Sequence, residues 1–109
     1  MNLLDYHVLL ALSSGPIHGY AIKDAVAADS DGTQAPRAGT LYRLIARLIA
    51  AGLVRETAAP ADKEAHPGLA RRYYGLTAAG RRALAAQAQR LKDAASAAEK
   101  RLRHSPGRS

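Results

Sequence analysis

Cysteine, phenylalanine and tryptophan are all missing from this 109-residue chain. Without cysteine there are no disulfides and no thiolate metal sites, which fits a reducing compartment. Without phenylalanine or tryptophan, a core must come from Leu, Ile, Val, Ala and five tyrosines. The apolar runs are far shorter than a membrane span. The start, MNLLDYHVLLALSSG, carries Asp5 and no basic segment, so it reads poorly as a signal peptide. The expected setting is therefore the cytoplasm, with no membrane partner. Metal ligands are also scarce. The four histidines (His7, His18, His66 and His104) have no i, i+4 partner among them, so neither a metal nor a cofactor is expected. The serines lack a partnered histidine and acid, and the carboxylates Asp62 and Glu64 have nothing to bury them, so no enzyme constellation is present.

What is present is positive charge. The formal net charge is +7, which favours a polyanionic partner. Its distribution is uneven. Residues 1–52 are neutral in sum, with four basic and four acidic side chains, whereas residues 77–109 hold eight basic against two acidic. Most of the excess lies in the C-terminal third.

The stretch RAGTLYRLIARLIAAGLV, residues 37–54, has the clearest pattern. Leu41, Leu44, Ile45, Leu48 and Ile49 recur at spacings of three and four, so they share one helical face. Arg37, Thr40, Arg43 and Arg47 fall on the other face, which carries one sign of charge only. Pro36 suits the first turn of this helix. Gly52 stands where a helix stops, because glycine adopts the left-handed conformation cheaply. An apolar back with an arginine and hydroxyl front suits the DNA major groove.

The flanking segments extend this reading. Leu3–Leu12 is a first helix with Leu4, Val8, Leu9 and Leu12 inward, stopped by SSGP. Ile17–Ala28 is a second, with Ile17, Ala21, Ile22, Ala25 and Val26 inward and Tyr20 expected in the core. Asp29–Gln34 is a turn. Leu53–Thr57 and Arg71–Leu76 read as two strands joined by the Pro- and Gly-containing loop Ala58–Gly68, forming a β-hairpin wing. The alternation of RRYYGL places Tyr74 inward and leaves Tyr73 half exposed. Thr77 caps a final helix to about Arg103. Within it, Leu84, Ala88, Leu91, Ala95, Ala98 and Leu102 follow a 4-3-4-3-4 spacing, a heptad seam. A narrow stripe on so long a helix calls for a second copy of the chain.

The expected fold is mainly α with a small β-hairpin: a winged helix-turn-helix with a long C-terminal dimerisation helix. The expected divisions are a DNA-binding domain over residues 1–76, the dimerisation helix over 77–103 and a disordered tail over 104–109.

The segments HGY (His18–Tyr20), GTLY (Gly39–Tyr42), RLIAAGLV (Arg47–Val54) and RRYYGLTAAGR (Arg71–Arg81) resemble the PadR family of bacterial transcriptional regulators. The likeness extends over about residues 3–103, and the short length resembles the subgroup with a single C-terminal helix. It implies a homodimer on double-stranded DNA at an inverted-repeat operator, often a repressor, released by a small-molecule effector or a partner. The third helix would then supply Arg37, Thr40, Tyr42 and Arg43. The wing would supply Lys63, His66 and Arg71 or Arg72 to the backbone or minor groove. Members often carry a tryptophan that lines a ligand pore between the protomers. This chain has none, which speaks against an aromatic sandwich for planar ligands.

Individual roles follow from chemistry. Arg43, nearer the helix N-terminus, is the better candidate to read guanine, and Arg47 the better to meet phosphate or simply solvent. Thr40 suits either a phosphate contact or a local cap. Tyr42 suits a phosphate contact or packing against the second helix, and Lys23 a phosphate contact or free solvent. Gly39 allows close backbone approach. The basic run of the last helix, which includes Arg81, Arg82, Arg90, Lys92, Lys100, Arg101 and Arg103, flanks the seam or widens the electrostatic footprint on DNA. The alternative to a DNA reader is a protein-interaction or dimerisation module built on the same fold, with weak or lost DNA binding. Such a module should carry apolar residues on the outer face of the third helix.

Overall fold

The computed structural model describes residues 1–58 and 72–104. In order they form α1 (Leu3–Ala11), β1 (Ile17–His18), α2 (Gly19–Asp29), α3 (Ala38–Ala50), β2 (Val54–Thr57), β3 (Tyr73–Leu76) and α4 (Ala78–His104).

Each helix begins for a local reason. The side chain of Asn2 accepts from the Asp5 N–H at 2.8 Å, while the Asp5 carboxylate accepts from the Asn2 N–H. This reciprocal capping box satisfies two donors at the start of α1. His18 takes the cap position of α2, its Nδ1 accepting from the Ala21 N–H at 3.3 Å. α3 starts after Arg37, which makes no side-chain cap bond. Pro36 therefore precedes the cap and does not occupy the first turn. α3 ends at Gly52, whose φ is +78°. The Leu53 N–H bonds the Leu48 carbonyl and the Gly52 N–H bonds that of Ile49, which is the paired closure a glycine in this conformation permits.

The segment Ile17–His18 departs from expectation. Instead of opening the second helix, these residues form a short antiparallel strand on β3, with Ile17 opposite Tyr74 and His18 opposite Tyr73. The hairpin is thus part of a three-stranded sheet in the order β1-β3-β2. On the other side of β3, Val54 pairs with Leu76 and Thr57 with Tyr73. As the central strand, β3 is buried along its whole length, so Tyr73 and Tyr74 are both inside. Tyr73 reaches this by stacking edge-on against the His18 ring, centroids 5.6 Å apart. Burial raises the pKa of Tyr74 above the ordinary phenol value, with Glu56 adding to the shift, so it stays neutral.

The core gathers Val8, Leu9 and Leu12 of α1, Ile22 and Val26 of α2, Leu41, Leu44, Ile45 and Leu48 of α3, and Val54, Tyr74 and Leu76 of the sheet. Ile49, grouped with the inward face by its spacing, lies at the rim and is 37% exposed. α4 starts against this core, with Ala83 and Leu84 packed on it. Gly80 is buried so tightly that a Cβ there would overlap the Leu53 carbonyl. Further along, α4 leaves the body, giving an elongated molecule of 63 × 26 × 25 Å. Leu84, Ala88 and Leu91 are half-buried, whereas Ala95, Ala98 and Leu102 are exposed. The helix also includes His104, one residue beyond the expected end.

Candidate nucleic-acid interface

α3 is amphipathic around its full circumference. Its inner residues Leu41, Leu44, Ile45 and Leu48 are at most 6% exposed, which fixes its rotation on the core. That rotation leaves Arg37, Ala38, Gly39, Thr40, Tyr42, Arg43 and Arg47 exposed. Small residues at positions 38 and 39 keep the N-terminal end of this face low. Among the described residues, the Arg43 side chain alone comes near the position of a Gly39 Cβ, at 3.5 Å. Arg43 folds back toward the Thr40 hydroxyl at 3.5 Å, a long and weak contact that leaves the guanidinium free to extend. No acidic residue occupies the first turn of α3. Its exposed N–H groups, together with Arg37 and Arg43, make this end electropositive.

Arg47 differs from the other arginines. Its guanidinium donates to the Asp5 carboxylate of α1 at 2.6 Å, and Asp5 is only 4% exposed. The hydrogen bond, and then the charge of Asp5, hold the Arg47 pKa above its ordinary value. The guanidinium remains half open to solvent. Arg47 thus has an internal partner that its place on the outer face did not suggest.

Tyr42 does two things at once. It is 46% exposed, yet its hydroxyl end rests over Gly19 at the start of α2. Any side chain at position 19 would collide with the ring. Glycine is needed here for close approach. Tyr42 and Gly19 border a shallow groove with Tyr20, Lys23, Ala38 and Leu41. Tyr20, expected in the core, is 73% exposed on this groove. The cause is the phase of α2. With the helix beginning at Gly19, the inward positions are Gly19, Ile22 and Val26, and Tyr20 is rotated away from them. The connection between α2 and α3 is tightened by Ser30, whose hydroxyl accepts from the Gln34 N–H at 2.9 Å. Two helices joined by a short, bonded turn, the second presenting a basic face, form a helix-turn-helix.

The chain also matches the model of the transcriptional regulator PadR-like family over residues 8–86. It belongs to that family. Solved structures agree with this in fold. A PadR-like regulator from Bacillus cereus superposes with a TM-score of 0.74 at 21% identity, covering 92% of this chain and 91% of that one. A PadR family regulator from Clostridium difficile gives 0.73 at 21% identity, covering 93% and 99%. Bacillus subtilis PadR, solved in complex with operator DNA, gives 0.64 at 20% identity, covering 79% of this chain and 46% of that one. No curated protein matches the chain.

On this PadR-like frame the remaining expected site residues fall as follows. Lys23 is half-buried on α2 beside the groove. Arg72 is exposed at the foot of β3, 3.8 Å from Glu56 on the neighbouring strand. Both partners are largely solvated, so this pair contributes little. Lys63, His66 and Arg71 lie outside the described residues, as do the loop they belong to and residues 105–109 of the tail. Among the described residues no group of three or more histidines or carboxylates is placed to hold a metal ion. No described helix is long and apolar enough to cross a membrane.

Three residues of this region escaped sequence reasoning. Asp5 anchors Arg47 across the fold, and no local pattern links positions so far apart. Gly19 carried a signal, since glycine before an aromatic at a helix start is compatible with a close approach. Tyr20 lies off the face shared by Ile22 and Val26, so its exposure follows from the phase of α2.

Proposed function

We propose that this PadR-like regulator binds double-stranded DNA sequence-specifically as a homodimer, each protomer inserting α3 into a major groove. The observation that carries this reading is the outer face of α3: exposed, free of acidic side chains, and held in one orientation by the core behind it. The operator-bound state of the Bacillus subtilis neighbour, alike in fold, supports it.

In this reading Arg43 reads a base edge, while Arg37, Thr40, Tyr42 and Lys23 meet the sugar-phosphate backbone. Arg47 offers the backbone only its solvent-facing edge, because Asp5 holds the rest. The wing residues Lys63, His66, Arg71 and Arg72 flank the groove. Residues 1–76 act as the DNA-binding unit, and the last helix, which runs to His104, as the dimerisation helix. The heptad positions Ala95, Ala98 and Leu102, exposed along the outer part of α4, support a second copy along this helix. Two-fold symmetry then sets half-sites about one DNA turn apart on an inverted repeat. Repression in the cytoplasm, relieved by a ligand or partner that favours another spacing of the two α3 helices, completes the proposal.

The test is Arg43→Ala. Affinity for the preferred duplex should fall by ~1–3 kcal/mol, with preference relaxed at one base position. Unchanged affinity and preference would remove Arg43 as the reader.

A further inference from the structure

We infer that Tyr20, with Lys23, seats one phosphate and its sugar from the DNA backbone in the groove between α2 and α3. The inference rests on the DNA-binding reading above and adds a residue to it.

Among the described residues, only Tyr20 and Tyr42 of the five tyrosines are exposed, and both border the same groove. Tyr73 and Tyr74 are buried in β3, and Tyr6 is half-buried. Tyr20 and Lys23 stand three residues apart on α2, so they lie on one helical face. That face therefore offers a phenol hydroxyl and an ammonium side by side. Asp24, four residues from Tyr20 and exposed, does not line the groove, and the first turn of α2 holds no acidic residue. The tyrosine ring also suits an apolar sugar edge, with its hydroxyl as donor to a phosphate oxygen.

Position selects DNA as the occupant. Ala38, the first residue of α3, lines the same groove. When a recognition helix enters the major groove, the preceding helix crosses the backbone. A duplex seated on α3 thus carries its sugar-phosphate chain past Ala38 and over Tyr20. Tyr42, pressed on Gly19, closes the floor so that the phosphate stays at the level of the hydroxyls.

The test uses the full-length protein and a duplex selected for binding, compared with a scrambled duplex. Tyr20→Phe and Tyr20→Ala should weaken both duplexes by the same factor, roughly threefold to tenfold. The salt dependence should be unchanged, because the residue is neutral. Lys23→Gln should weaken both and lower the salt slope by about one. A scan of single neutral methylphosphonate linkages gives the contact itself. One linkage should weaken the wild-type protein most and Tyr20→Phe by a smaller factor, since Lys23 still meets it, and should leave the double variant Tyr20→Phe, Lys23→Gln no weaker than it already is. Because Tyr20 is exposed, helix content by circular dichroism should match in all variants. The inference is overturned if the Tyr20 variants bind as the wild type does, or stay as sensitive as it to every linkage. If that happens while Arg43→Ala loses base preference, DNA reading stands without Tyr20. If the wild-type protein binds neither duplex, both ideas fall.

Discussion

Arg47 of α3 donates to the buried carboxylate of Asp5 on α1 at 2.6 Å, joining residues 42 positions apart. The bond ties α3 to α1, and Asp5 is itself fixed by the capping box with Asn2. A side chain expected to face outward is thus also a strut of the fold.

The two partners should not be equivalent. Arg47→Ala leaves a buried carboxylate with only its cap contact, and should cost about 2 kcal/mol of unfolding free energy. This is below the ~3–5 of a fully enclosed pair, because water can enter where the half-exposed guanidinium stood. Asp5→Ala frees an arginine that reaches solvent easily, and should cost about 1 kcal/mol. Urea denaturation measures both. Equal costs below about half a kcal/mol would mean that the pair is incidental.

The joint between α3 and α4 is closely bonded. Thr77 donates its hydroxyl to the Gly52 carbonyl at 2.6 Å and its N–H to that of Leu53 at 3.1 Å. It also caps α4 by accepting from the Gly80 N–H. Gly80→Ala adds a methyl group against the Leu53 carbonyl and should destabilise by about 3 kcal/mol. Helix propensity alone would favour alanine by about 1 kcal/mol. A variant as stable as the wild type, or more so, would show that this contact does not constrain the joint.

How much of this was legible beforehand depended on range. α3 could be read because its face and its stop, Leu41 to Gly52, are encoded within a few turns of one another. The capping by Thr77 was equally local. β1 could not be read, since Ile17 and His18 have too few residues to alternate and are ordered by Tyr73 and Tyr74, far along the chain. The phase of α2 was legible, since Ile22 and Val26 face inward as expected, and that phase turns Tyr20 outward. The same central position of β3 buries Tyr73, which alternation alone would expose. Of the interface, Arg37, Thr40 and Arg43 followed from one helix. The Arg47–Asp5 pair required the tertiary fold.

Leu91 tests the proposed assembly. It lies half-buried where α4 begins to leave the body. Leu91→Glu should convert a dimer to a monomer in analytical ultracentrifugation while leaving each winged unit folded. A variant that stays dimeric would move the interface elsewhere, and a monomeric wild type would remove the two-fold operator geometry.

The central claim is readout of DNA sequence by the outer face of α3. Its most direct test is selection of bound sequences from random duplex DNA by the full-length protein at near-physiological salt. The account predicts an enriched two-fold symmetric motif with half-sites about one turn apart. Salt-sensitive binding without any enriched motif would contradict it, leaving the +7 charge acting without readout.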